Sequence, residues 1–243
     1  VAKNADFQEM VGSFATSGLS VDNVEELASS TGAEGTISDV LASKIATIGE
    51  NMSLRRMGKV SGGAIESYVH NAAAPGMGKI GVLVALTSEN LVFGKQVAMH
   101  IAAAHPQSLS EADLDPEVVE REKNVLTDQA RESGKPEAVI EKMIEGRMKK
   151  FMGEVTLLGQ SFVVNPDVTV AQAAEEAGVE ITAYLRFEVG GGRAGKDAAL
   201  AAEVARVGGG SRGVGGGWLG FFCFFGGGGG GGRGGGGGGG GGG

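Results

Sequence analysis

Cysteine is almost missing from this chain. Cys223 is the one thiol among 243 residues, which excludes an internal disulfide and fits a reducing compartment. Histidine is scarce as well. His70, His100 and His105 have no metal-ligand spacing, and no Ser/His/Asp or Cys/His set stands out. A metal, a cofactor or a chemical active site is therefore not expected. Basic charge is in deficit: 21 Lys and Arg stand against 29 Asp and Glu, a net charge of −8. A phosphate backbone is thus not the expected main partner. Long apolar runs are lacking too, so neither a signal peptide nor a membrane helix is expected, and a cytoplasmic location is. Gly76-Met77-Gly78-Lys79 comes nearest to a phosphate loop. It has Ala73 where the first glycine of that motif belongs and Ile80 where a Ser or Thr must follow the lysine.

One residue type is in excess. Most of the 46 glycines lie after Val207, and the chain ends in a glycine run. Such a segment has too little apolar surface to offset its ordering entropy and is expected to be disordered. Trp218, Leu219 and Phe221-Phe222-Cys223-Phe224-Phe225 form an apolar island within it. An RNA-binding Gly/Arg tail would have only Arg212 and Arg233 to offer. The chain starts at Val1 rather than Met, and the expectation is a portion of a longer protein.

The remainder reads as α+β. Asp6 to Thr16 is a helix with Phe7, Met10, Val11 and Phe14 on one stripe. Val21 to Ser29 is a short second helix. A third, capped by Ser38, carries Ile37, Leu41, Ile45 and Ile48 on its apolar face and stops at Gly49. Ser53 to Val60, Ala64 to His70 and Lys79 to Thr87 have strand character, and Ser61-Gly62-Gly63 predicts that the first two form a hairpin. Ile80 to Val84 is continuously apolar, as a central strand would be. Leu91 to Ala104 is a helix able to cover the sheet with Val97, Ile101 and Ala104. Val168 to Ala177 is another helix. In Ile181 to Val189, residues 181, 183, 185, 187 and 189 face one side and Thr182, Tyr184, Arg186 and Glu188 the other. The resulting fold is a small antiparallel sheet covered by helices.

A helical hairpin is inserted between these parts. Pro116 to Glu132 is rich in helix formers, with Val118 and Val125, and Val119 and Leu126, repeating at seven residues. Gly134 suits the left-handed position past a helix end, and Pro136 the first turn of the next helix. Ile140, Met143, Ile144, Met148 and Phe151 then share one helical face. A short turn makes the two arms antiparallel neighbours, each roughly 25 Å long at about 1.5 Å per residue. A plain hairpin in a core and a projecting, solvated coiled coil both fit this pattern.

Ser133-Gly134-Lys135-Pro136 followed by Glu141-Lys142-Met143-Ile144-Glu145-Gly146-Arg147-Met148-Lys149-Lys150-Phe151 resembles elongation factor Ts, the family that promotes release of GDP from elongation factor Tu. Further segments match that family in order. They are Val1-Ala2-Lys3-Asn4, Ile48-Gly49-Glu50-Asn51, Leu54-Arg55-Arg56, Ser67-Tyr68-Val69-His70, Ile80 to Val84, Ala98-Met99-His100-Ile101-Ala102-Ala103, Gln160-Ser161-Phe162-Val163-Val164, and Leu185-Arg186-Phe187-Glu188-Val189-Gly190. The resemblance implies a binding-driven nucleotide exchange factor that is not an enzyme in the bond-making sense. It implies elongation factor Tu as partner, no direct nucleic acid, no membrane, and a homodimer through the sheet as a further expectation.

Carried over by residue, Val1, Ala2 and Lys3 lead out of the inserting loop. Ile48, Gly49 and His70 face the partner's nucleotide-binding domain, and Val163 and Val164 meet a later domain. The Asp-Phe pair that stands just before Val-Ala-Lys in the family's loop does not lie within these residues, so a passive scaffold for elongation factor Tu is the second expectation. The implied organisation is a helical remnant over 1–51, a second core subdomain over 52–113 and 153–190, the coiled-coil hairpin over 114–152, a remnant of a C-terminal module over 191–207, and the Gly-rich tail over 208–243.

Overall fold

The computed structural model describes residues 3–74, 76–132 and 134–189 in full, and the backbone course of 218–227. Val1, Ala2 and the remnant expected over 191–207 lie outside the described residues, as does the rest of the Gly-rich tail.

The chain opens with three helices whose stripes bury one cluster. Asn4 caps α1 (Ala5–Gly18) by accepting the Phe7 N–H at 3.1 Å, and Asn23 caps α2 (Val24–Ser29) through the Glu26 N–H at 2.8 Å. A two-residue ribbon, β1 (Thr31–Gly32) with β2 (Gly35–Thr36), leads into α3 (Ile37–Ile48). Met10, Phe14, Leu27 and Ile37 form the cluster, with Phe7, Val11, Leu41, Ile45 and Ile48 packed around it. Both predicted stripes are thus the buried ones.

The cap of α3 differs from the sequence expectation. Thr36 is the N-cap, not Ser38. Its hydroxyl accepts the Asp39 N–H while the Asp39 carboxylate accepts the Thr36 N–H, both at 3.1 Å. The acidic residue three positions on selects Thr36. The Ser38 hydroxyl donates to the Ala28 carbonyl at 3.0 Å, tying α3 to α2. The Thr36 hydroxyl and amide hold the Asp39 carboxyl below its ordinary pKa. Thr36→Ala is expected to cost about 1 kcal/mol, read as a lower urea midpoint at unchanged slope. Gly49 ends the helix at φ +78°, as its position predicts.

The main sheet is antiparallel, in the order β4 (Ala64–Ala74), β5 (Met77–Leu86), β8 (Ile181–Glu188). On one face Val82, Val84, Leu86 and Tyr184 pack under α4 (Leu91–Ala104) and α7 (Val170–Glu176). On the other, Leu83, Ala85, Ala183 and Leu185 meet Val60. Burial on both faces explains the unbroken apolar run of β5. The alternation expected in β8 holds from Ala183 to Phe187, with both faces covered: Tyr184 is buried on the α4 side and its hydroxyl donates to the Pro106 carbonyl at 3.0 Å, while Ile181, beyond an irregularity in the pairing, packs with Tyr184 instead. On α4, Ala98 and Ala102 cover the sheet beside Val97 and Ile101, whereas Ala104 is exposed. The last helix starts at Val170 with Thr169 as its cap, because Val168 belongs to a strand, β7 (Asn165–Thr169).

The predicted hairpin of the first two long strands does not form. β3 (Met52–Gly62) crosses the back of the sheet and pairs antiparallel with β9 (Trp218–Gly227), with Met57 opposite Cys223. Residues 218–227, expected within a disordered tail, are therefore a strand. Ser61-Gly62-Gly63 is a corner between layers, not a turn within one. A Cβ on Gly63 would run into the Thr87 carbonyl, and one on Gly58 would come 2.7 Å from Leu185 Cδ1. The missing side chains let the strand lie directly on the sheet. Met52 and Met57 complete the helical cluster, so β3 joins the two halves of the core.

Between α4 and β8 the chain runs out through α5 (Pro116–Glu132) and back through α6 (Glu137–Val155). These helices make their main contacts with each other. Leu126, Ala130 and Ile140 are buried between them, with Val119, Met143, Ile144, Met148 and Phe151 half-buried. Val125 is exposed, so the Val118–Val125 repeat is not the seam. Gly134 takes φ +67°, and Pro136 stands at the N-cap, one residue before the helix. At the base, the Gln107 N–H donates to the Val155 carbonyl and the Leu157 N–H to that of Ser108, each at 2.8 Å. Ser108 and Thr156 form a buried parallel bridge there.

Candidate functional site

The residues singled out from the sequence rest on separate elements. Lys3 is exposed just ahead of α1. Ile48 is the last residue of α3, its side chain half-buried on the helical cluster, and Gly49 is exposed beside it in the left-handed conformation, its N–H donating to the Ile45 carbonyl at 2.9 Å. The structure gives Ile48 a packing role at the end of α3. His70 is exposed on β4 in a row with Ile80 and Glu188 across the three strands. Tyr68, two residues back on the same face, shares a 3.0 Å hydrogen bond between its hydroxyl and His70 Nδ1. The tyrosine ring is packed against the main core, so it anchors the imidazole from beneath.

Val163 and Val164 form the turn between β6 (Ser161–Phe162) and β7, and are 48% and 45% exposed. Two adjacent valines at a turn are poor turn formers, and the support under them explains their placement. Phe162 is buried, 6.0 Å from the Phe93 ring and 5.9 Å from the His100 ring. The Val163 N–H donates to His100 Nδ1 at 3.2 Å, and His100 Nε2 lies 2.9 Å from Gln160 Oε1. His100 is a core histidine, 1% exposed. Its bond to Val163 spans 63 residues and has no local signature in the sequence.

Burial holds the His100 imidazole below its ordinary pKa, against a smaller opposing effect of the Gln160 hydrogen bond. The unfolded imidazole takes up a proton below about pH 6.5 while the folded one resists. The unfolded state then binds more protons, so the contribution is complete above that pH and is lost as the pH falls. Urea midpoints at about pH 7.5 and 5.5 should drop further for the native chain than for His100→Phe, which has no proton to take up.

Gly76-Met77-Gly78-Lys79 forms the tight turn into β5, with Gly76 at φ +71°, and no helix follows it as a phosphate loop requires. Among the described residues no group of three His, Cys, Asp or Glu side chains could hold a metal, and no helix is long and apolar enough to cross a membrane. What these elements offer is surface shape: an exposed glycine corner, a propped imidazole and a pair of bare valines. Residues 1–191 match the family model of elongation factor Ts. The chain belongs to that family.

Curated members of the elongation factor Ts family agree over most of its length. It is 64% identical over 207 residues to elongation factor Ts of Dinoroseobacter shibae, covering 85% of this chain and 71% of that protein. It is 63% identical over 211 residues to that of Paracoccus denitrificans, with the same coverage. For Ruegeria pomeroyi the figure is 60% over 207 residues, again 85% and 71%. Membership of the elongation factor Ts family makes the chain a translation elongation factor by descent.

Proposed function

We propose that this chain is a cytoplasmic guanine nucleotide exchange factor for elongation factor Tu. It binds the GDP-bound partner and promotes release of GDP so that GTP can enter, with no bond made or broken. The observation that carries the reading is the exposed Val163–Val164 pair, held on a braced turn in a member of the elongation factor Ts family. A bare apolar pair on rigid backbone suits docking on another protein, because little ordering entropy is lost on contact. In this reading Val163 and Val164 meet a later domain of elongation factor Tu. Ile48, Gly49 and His70 face its nucleotide-binding domain, with Val1, Ala2 and Lys3 alongside. α5 and α6 act as an antiparallel coiled-coil arm.

Exchange then follows from linkage. If the chain binds nucleotide-free elongation factor Tu more tightly than the GDP complex by some factor, GDP is weakened by that same factor. The test is release of a fluorescent GDP analogue from elongation factor Tu in a stopped-flow instrument, with and without the chain. Acceleration that saturates with chain concentration is expected. Saturable binding without acceleration would make the chain a passive scaffold, and absence of binding would overturn both readings.

A further inference from the structure

We propose that His100 is a positioning residue for the docking surface: with its proton on Nε2, its Nδ1 lone pair captures the Val163 amide and fixes the Val163–Val164 turn. The proposal rests on the reading of that turn as a partner contact and adds to it the group that sets its shape.

The hydrogen-bond directions close on one tautomer. The Gln160 side-chain NH2 donates to the Glu154 carbonyl at 2.8 Å, which turns its Oε1 toward His100. That oxygen can only accept, so His100 Nε2 carries the proton. Nδ1 is left as an acceptor, and the Val163 N–H points at it from 3.2 Å. The relay runs from the last turn of α6 through Gln160 and His100 to Val163, four groups each satisfied by the next. His100 is 1% exposed and Phe162 is buried against it, so the ring has little freedom to turn. Without an acceptor at this place the Val163 N–H would face a buried ring edge with no partner, and the turn would be expected to shift to find one.

Three substitutions separate positioning from packing. In His100→Asn the carbonyl oxygen takes the place of Nδ1 and can still accept from Val163. His100→Gln reaches Gln160 and abandons Val163. His100→Phe keeps the volume and loses both bonds. The Val163 amide is followed by hydrogen exchange, and binding to elongation factor Tu by calorimetry. His100→Asn should keep the amide protected and bind within about threefold of the native chain. His100→Gln and His100→Phe should lose protection and bind roughly five- to tenfold more weakly, the fold-change of one neutral hydrogen bond. These differences should not follow the order of melting temperatures.

A long-range nitrogen–proton spectrum of the native chain at neutral pH should show the proton of His100 on Nε2. A proton on Nδ1, or affinities that simply follow melting temperature with His100→Asn no better than His100→Phe, would overturn the proposal. If the native chain does not bind elongation factor Tu at all, the functional reading fails. The amide protection series still decides the role of His100.

Discussion

Phe187→Ala should cost about 3–5 kcal/mol, a large part of the 5–15 kcal/mol by which domains are stable. Phe187 is 2% exposed and sits where β8 meets the layer behind it. Arg56 Cζ lies 5.1 Å above its ring, and the Cβ that Gly58 lacks would stand 3.3 Å from its Cζ. Removing the ring therefore opens a cavity that both β3 and the sheet border, and neither can collapse into it without moving a backbone. Urea unfolding should show a lower midpoint at unchanged slope. Val189→Ala, two residues on and half exposed, should stay within about 0.5 kcal/mol. A loss below about 1 kcal/mol for Phe187→Ala would mean that β3 does not lie against the sheet as described.

The second large effect concerns binding. Changing both Val163 and Val164 to Asp should weaken association with elongation factor Tu by at least about 30-fold, the scale of a hot spot worth 2 kcal/mol. The melting temperature should hold, because both side chains already face water and the amide bonded to His100 is kept. Calorimetric titration against elongation factor Tu reads the first quantity and thermal unfolding the second. Unaltered affinity would remove the turn from the docking surface.

What the sequence made legible has a common cause. α4 was read at its observed bounds, and the stripes of α1 and α3 are the buried ones. Helix periodicity is written within a dozen residues, so nothing distant can alter it. The unbroken apolar run of β5 likewise reports burial directly. The failures involve partners remote in the chain. Gly62-Gly63 suits a turn and a corner equally, and what decides is Thr87. The alternation of β8 is legible locally, but not that α4 covers the Tyr184 face. Trp218 to Phe225, set among glycines, carries no hint of β3 as its partner. In the candidate site, family motifs pointed to Lys3, Gly49, His70, Val163 and Val164, which are exposed, and to Ile48, which is half-buried. Tyr68 under His70 and His100 under Val163 came only with the fold, the first from strand alternation and the second from a contact that no short pattern encodes.

The stitched base of α5 and α6 also bears on how this fold can vary. Chain entering at Ser108 and leaving at Thr156 is bridged there before the helical arm begins. The rest of the molecule therefore senses the arm chiefly as two fixed ends. Whole turns can be gained or lost in matched pairs along the two helices while the strand register beneath stays as it is. Length and sequence in the arm are free to drift, or to be redesigned, at a pace of their own.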